Sequence, residues 1–362
     1  MLDATTTTQP EKPAAERGPA DGARARPLPP PRALATSTGE PGVVDCYSGP
    51  FHRIVFKGAG LAGYNEGRYA DDPKRPHDEA HRLQNRKIVE LGLFGREGGR
   101  WEGPGRPRVL DIGCGNGELL AEAAALGAEA VGITLVPAQV DECTRRGLTA
   151  YRLNYRDIGP EWDGQFDAVV LKGSLEHFVQ PRDVVAGRDG AIHEQLFRIL
   201  ARVLDPRSAA GRVVNSTIHF LRRPDPAELL RSPFRHPAGS DAYHFGWLHH
   251  MYNGWHPCRG ELAAVQERLA ARGEPHFRLE REEDISEDYR LSAEFCLGVI
   301  QRAALTRPRM WREALVSLAR YPRSTLVHAW GLYVSQSTNW YFRGPTPPTV
   351  GLLQSWKRAP AA

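Results

Sequence analysis

The chain has 362 residues, 41% hydrophobic and 25% charged, a globular composition with length for one large domain or a core with a cap. Its net charge of +4 is small and its basic residues are dispersed, which disfavours a dedicated nucleic-acid binder and leaves room for no more than peripheral attraction to a membrane surface. No run approaches the roughly 20 apolar residues of a membrane span, the N-terminus lacks a secretion signal, and the five cysteines (Cys46, Cys114, Cys143, Cys258, Cys296) form no CxxC pair, so a cytoplasmic protein with reduced thiols is expected.

In chain order, residues 1–45, with PLPPPR at 27–32, carry too few large apolar side chains to build a core and read as a disordered tail. Residues 46–107 read as N-terminal lid helices. From 108 to 220 short β-type runs alternate with helical stretches: RVLDI, ELLAEAAAL, AEAVGIT, PAQVDECTRRG, TAYRL, FDAVVLKG, AIHEQLFRILARVL and GRVVNSTIHF. Such alternation predicts a parallel sheet wrapped by helices. Residues 221–275, which contain the aromatic and His-rich run DAYHFGWLHHMYNGWHPC, read as a cap inserted over a substrate. Residues 276–362 supply a strand (HFRLERE), helices including FCLGVIQRAAL, and a closing strand (TVGLLQSW); Asn339–Trp340 reads as a turn before it.

The run VLDIGCGNGELL, Val109 to Leu120, places a glycine loop after the first strand, where glycines permit a tight turn and close approach of a ligand to the backbone. The spacing Gly113, Gly115, Gly117, with Glu118 in place of a further glycine, departs from the dinucleotide fingerprint, and no G-K-[ST] follows to cradle phosphates. Asp111 just before the loop would repel a pyrophosphate and suits a ligand with an ammonium group, such as S-adenosylmethionine. The second strand ends in Thr134 without a carboxylate for the ribose hydroxyls, so another group must hold the sugar.

Longer segments carry a resemblance to a known family. GITLVPAQ (Gly132 to Gln139) resembles the G-[IL]-T-L-S-x-x-Q segment of the cyclopropane-fatty-acid and mycolic-acid cyclopropane synthases, and YRLNYRDIGPEWDGQFDAVVLKGSLEHF resembles their L-Q-D-Y-R-D…F-D-x-I-V-S-x-x-x-F-E-H-[FV]. With VLDIGCGNG the match runs over about seventy residues. A weaker likeness continues through EEDISEDYRLSAEF and HHMYNGWHPC. The resemblance implies an α/β fold, the class I (Rossmann-like, seven-stranded) S-adenosylmethionine-dependent methyltransferase fold with a helical cap, occupying 46–362.

Carried over residue by residue, the resemblance implies Gly113 and Gly115 against the methionine part of the cofactor, and Thr134, Leu135 and Gln139 around the ribose. Tyr155 would lie against the adenine, with Asn154 replacing an aspartate, and Tyr64 in GYNEGRY corresponds to the tyrosine of the family's Y-S-C-x-Y-F. Glu176 and Tyr289 match two residues that hold a bicarbonate ion near the sulfonium. Ser216 stands where the family has histidine, and Glu66 where it has cysteine. A second carboxylate beside an anion is unfavourable. Either His219 re-forms the site or a side-chain base, Glu66 or His219, replaces bicarbonate.

A sulfonium methyl is a strong electrophile, so the protein must chiefly align a nucleophile and exclude water. With an alkene nucleophile a carbocation follows, which aromatic faces stabilise by roughly 0.5–2 kcal/mol each. The function expected is C-methylation of an unsaturated lipid or isoprenoid-like small molecule. N- or O-methylation in small-molecule biosynthesis, with His or Glu as base, and a methyltransferase-like binding protein without catalysis are the alternatives. Plainer readings stand beside these: Glu176 and His177 as a helix cap, Tyr289 in a solvated acidic helix start, and Asp157 and Asp167 as structural groups. His244, His249, His250 and His256 with Cys258 match no tetrahedral metal motif and read as an aromatic wall.

Overall fold

The computed structural model describes residues 28, 30, 31, 41–69 and 72–359. Most of the expected tail lies outside the described residues. Its boundary at 45 is too late: helix α1 (Pro41–Cys46) buries Val43 and Cys46. It runs into a π-helical segment, Tyr47–Gly58, that buries Phe51, Ile54 and Val55.

Seven strands form one sheet in the order β3-β2-β1-β4-β5-β7-β6. They are β1 (Arg108–Ile112), β2 (Glu129–Thr134), β3 (Thr149–Arg152), β4 (Ala168–Lys172), β5 (Arg212–Phe220), β6 (Phe277–Asp284) and β7 (Thr349–Arg358). The first five are parallel neighbours, and β7 enters antiparallel between β5 and β6. The apolar runs read as strands are these strands, since β1 and β4 are buried along their whole length, as a sheet covered on both faces requires.

Side-chain alternation assigns the two faces. Val109, Ala168, Val170 and Val214 point toward helix α2 (His77–Phe94) and α3 (Glu118–Ala125), against Ile88, Leu91 and Leu119. Leu110, Val169, Leu171, Val213 and Trp356 point to the other face, against Leu196, Phe197 and Leu200 of α6 (Asp189–Val203). Between these lie α4 (Pro137–Arg145), packed on β3, and α5 (Pro181–Val185).

The expected cap, 221–275, divides in two. Helices α7 (Pro226–Leu229) and α8 (Asp241–Tyr252) lie over the strand ends, whereas α9 (Glu261–Ala271) joins the sheet layer. Its Leu262, Val265 and Leu269 share one helical face and are buried in the same cluster as α6. The expected lid, 46–107, divides likewise, since α2 is a sheet-layer helix and the chain before it covers the cavity. Helices α10 (Ser286–Thr306), α11 (Pro308–Arg320) and α12 (Pro322–Trp330) complete the cover, followed by a 3-10 turn at Ser337–Trp340 where a turn was expected.

Candidate active site

A cavity of ≈ 480 Å³ opens at the C-terminal ends of β1, β2 and β4. The strand order reverses at β1, and an open α/β sheet leaves a crevice there. Gly113 (φ 91°) and Gly115 (φ 54°) make the turn in the left-handed region. A side chain at Gly113 would strike Ser174, whereas the space in front of Gly115 is open. Asp111 is buried in the cavity wall with its Oδ1 lacking a hydrogen-bond partner. Burial pushes its carboxyl up to about 7, partly countered by Lys172. A ligand ammonium would supply the missing donor.

Thr134 Oγ1 donates to Gln139 Oε1 at 2.6 Å, so the Gln139 amide NH₂ is the group that can donate to a sugar. Leu135 shares this wall. Tyr155 stacks on Phe178 with centroids 4.5 Å apart, and the Arg156 guanidinium lies 5.3 Å from the Tyr155 ring centre. Asn154 lines the cavity while its Oδ1 accepts from Arg156 N at 3.1 Å, capping the 3-10 turn there. Tyr64 is on the opposite wall, edge-on to Phe51 at 4.9 Å. An unpaired buried carboxylate oxygen, open space before a backbone turn and an amide donor at the second strand together fit S-adenosylmethionine.

At the other end, β4 stops at Lys172 while β5 continues to Phe220, so the Ile218 N–H has no ladder partner on that side. Glu176 supplies one: its Oε1 accepts from Ile218 N at 3.0 Å. Its Oε2 is buried without a partner, and burial raises the carboxyl to about 7. This carboxylate reaches across to β5 and lines the cavity. Glu66, fully buried behind the cavity wall, accepts from Ser216 Oγ at 2.6 Å, and Ser216 Oγ lies 3.3 Å from the Tyr289 hydroxyl. Lys172 Nζ, 3.9 Å from Glu66 Oε1, also donates to Asn85 Oδ1 at 2.7 Å and to the Glu66 carbonyl at 3.2 Å. Glu66, Ser216 and Tyr289 are thus brought together.

His219 is not brought in. On β5, Ser216 and Ile218 face the cavity side and His219 faces the other way, with Nδ1 3.4 Å from the Cys258 carbonyl and burial depressing its pKa to about 4. The structure therefore removes it from the candidate bases.

The sequence names His177 only beside a helix cap and His256 only as part of an aromatic wall, and it does not single out Lys172, Tyr47 or Tyr341, all of which line the cavity. His177 is gripped on both sides: Nδ1 donates to the Asn253 carbonyl at 3.2 Å, so Nε2 accepts from the Tyr47 hydroxyl at 2.9 Å. His256 meets the Tyr341 hydroxyl at 2.9 Å, and burial depresses its pKa to about 3, so the ring is neutral. The other cap histidines have separate partners: His244 stacks on Trp340, His249 meets the Gly254 carbonyl and His250 the Arg231 carbonyl. Lys172 had a readable signal, a charge closing an otherwise apolar strand in VVLKG. Tyr47 and Tyr341 had none, since each reaches the cavity only through long-range packing.

A family model described as a methyltransferase domain matches residues 110–210, the stretch that holds the end of β1, β2 to β4, the glycine loop and Glu176. A ubiquinone biosynthesis O-methyltransferase of Xanthomonas oryzae pv. oryzae is 34% identical over 183 residues, 48% of this chain and 64% of that protein. The chain thus spans just under two thirds of that relative's length. Among solved structures, a cyclopropane synthase from Mycobacterium tuberculosis aligns over 88% of this chain and 97% of its own, with TM-score 0.60 and 16% identity. A geranyl diphosphate C-methyltransferase from Streptomyces coelicolor A3(2), solved with S-adenosyl-L-homocysteine, aligns over 88% and 98%, with TM-score 0.52 and 16% identity. These likenesses are of fold, the class I methyltransferase fold with its seven-stranded sheet. Among the described residues no helix is long and apolar enough to cross a membrane.

Proposed function

We propose that the protein is an S-adenosylmethionine-dependent methyltransferase that methylates carbon in an uncharged, unsaturated lipid or isoprenoid-like substrate. The observation that carries the reading is the chemistry of the cavity beyond the cofactor wall. Its lining there is Tyr47, Phe51, Phe56, Tyr252, Tyr341 and Phe342 around Glu176. Among the described lining residues the lysine and arginine side chains are Lys172 and Arg156. Lys172 is buried against Glu66 and Asn85, and Arg156 lies over Tyr155 on the cofactor side. A diphosphate such as the Streptomyces enzyme's ligand would meet no partner here, whereas an alkene would meet π-faces able to stabilise a developing cation.

The cofactor supplies an electrophilic methyl group. The protein's part is orientation, exclusion of water and placement of a proton acceptor. Asp111, Gly113, Gly115, Thr134, Leu135 and Gln139 would hold the cofactor, with Tyr155, Asn154 and Tyr64 around it. Glu176, with its unpartnered oxygen and a carboxyl near 7, is suited to take a proton at neutral pH. Glu66 stands where an anion would otherwise bridge Ser216 and Tyr289, and Lys172 already faces it, which disfavours bicarbonate at this place.

The same carboxyl favours a second reading, O-methylation of a phenol, and the Xanthomonas relative is named for O-methyl transfer. Product masses and fragmentation from a panel of unsaturated lipids and phenols, with isotopically labelled cofactor, separate the two. Label on carbon supports the reading, label on oxygen replaces it with the second, and no product from either class overturns both.

A further inference from the structure

The cover carries a surface that the cavity does not use. On α11, Trp311, Leu315 and Leu318 are 61%, 65% and 38% exposed. At 100° per residue they fall within one narrow stripe, on the side away from the buried Met310, Glu313 and Ser317. Trp311 Nε1 donates to the Ala304 carbonyl at 2.8 Å, setting the ring beside the end of α10, where Leu305 is 87% exposed. Six arginines, 302, 307, 309, 312, 320 and 323, lie in the same segment and all are exposed; on α11, Arg312 is about 90° round the helix from the stripe, and Arg309 and Arg320 are nearer its opposite side. The one carboxylate between 302 and 334, Glu313, is buried and bonded to Arg53 at 2.9 Å.

We propose that the outer face of α11, with the end of α10, docks the protein on an anionic phospholipid membrane. A helix lying in a bilayer interface presents Trp and Leu to the acyl boundary and basic side chains to the headgroups, and this segment has an exposed Trp/Leu stripe flanked by Arg312 within a strongly basic stretch. The electrostatics favour a lipid surface over a second copy of the chain, because a two-fold pairing of this face would set arginines against arginines with no free carboxylate to receive them. Anionic headgroups supply the missing negative charge. The location fits the cavity as well: α11 packs along Tyr47–Gly58, whose other side gives Tyr47, Phe51 and Phe56 to the cavity wall.

Flotation of the full chain with vesicles of phosphatidylcholine, with and without phosphatidylglycerol, tests this. The protein is expected to float with the anionic vesicles and to be released by added salt. Leu315→Glu with Leu318→Glu should lower partitioning at least tenfold, with melting temperature and cofactor affinity unchanged because both side chains are exposed. Replacing Arg312, Arg320 and Arg323 with Gln should lower it by about a hundredfold, roughly fivefold per charge. Failure to float with any vesicle, or flotation indifferent to the leucine changes, overturns the proposal. So does a dimer in sedimentation velocity that the leucine changes dissociate, since the face would then be a self-interface.

Discussion

The two ends of the cavity are built in opposite ways. The cofactor end is made by strand termini and the turns that follow them, with Asp111, Gly113, Gly115, Thr134 and Gln139 contributed within a few tens of residues of one another. The substrate end is assembled from distant segments: Tyr47 meets His177 across 130 positions, and Ser216 meets Glu66 across 150. Backbone geometry fixes the first, and side-chain packing between cover and sheet fixes the second. Substitutions should therefore separate the ends cleanly.

The largest effect is expected at the loop. Gly115→Val places a branched side chain in the left-handed region and in the open space before the turn, and should abolish measurable cofactor binding in a calorimetric titration. Retained affinity would mean that the cofactor end does not depend on its backbone. Next comes Glu176→Gln, for which turnover should fall by about 10²–10⁴-fold with cofactor affinity nearly unchanged. Glu66→Ala should also be slow, and depleting bicarbonate should leave the parent rate unaltered. Full activity of Glu176→Gln would leave that residue only its bond to Ile218, and the division of labour would fail.

A smaller effect is expected in stability. The Glu176 carboxyl rises from 4.5 to about 7 on folding, so the folded state holds its proton more tightly than the unfolded chain does. Stability from this group is fully present below pH 4.5, declines as pH rises toward 7, and is lost above, by about 3 kcal/mol. Asp111 acts in the same sense from 3.8 to about 7. Denaturant melts of the cofactor-free protein across this range should lose stability with rising pH, and Glu176→Gln should flatten the slope. The smallest effect belongs to Tyr47→Phe, which removes one hydrogen bond and should lower stability by about 1 kcal/mol in the same melts.

The same contrast governs what the sequence discloses. The strands from β1 to β5, the glycine loop and the Thr134–Gln139 pair are legible because each is a local pattern whose period or spacing has a single physical reading. β6 and β7 are legible as strands, yet their places in the sheet are not, since β7 inserts beside β5 from the far end of the chain. His219 was misplaced by a reading that followed sequence neighbourhood where strand alternation decides the face. α9 was placed in the cap because the aromatic run before it suggested one continuous insertion, whereas its own stripe of Leu262, Val265 and Leu269 marks a sheet-layer helix.

Helix α8 ends at Tyr252 and is capped by Asn253, whose φ of 54° turns the chain so that Gly254 settles on the backbone of Glu176. A methyl group at Gly254 would come within 2.2 Å of the Glu176 carbonyl oxygen, which instead accepts from Trp255 N at 2.8 Å, while the Asn253 carbonyl receives His177 and Gln180. The end of the cover is thereby latched to the peptide that carries the Glu176 carboxylate. Moving α8 would pull on the same peptide that holds the Glu176 side chain at the cavity, so the position of the cover and the orientation of that carboxyl are mechanically coupled.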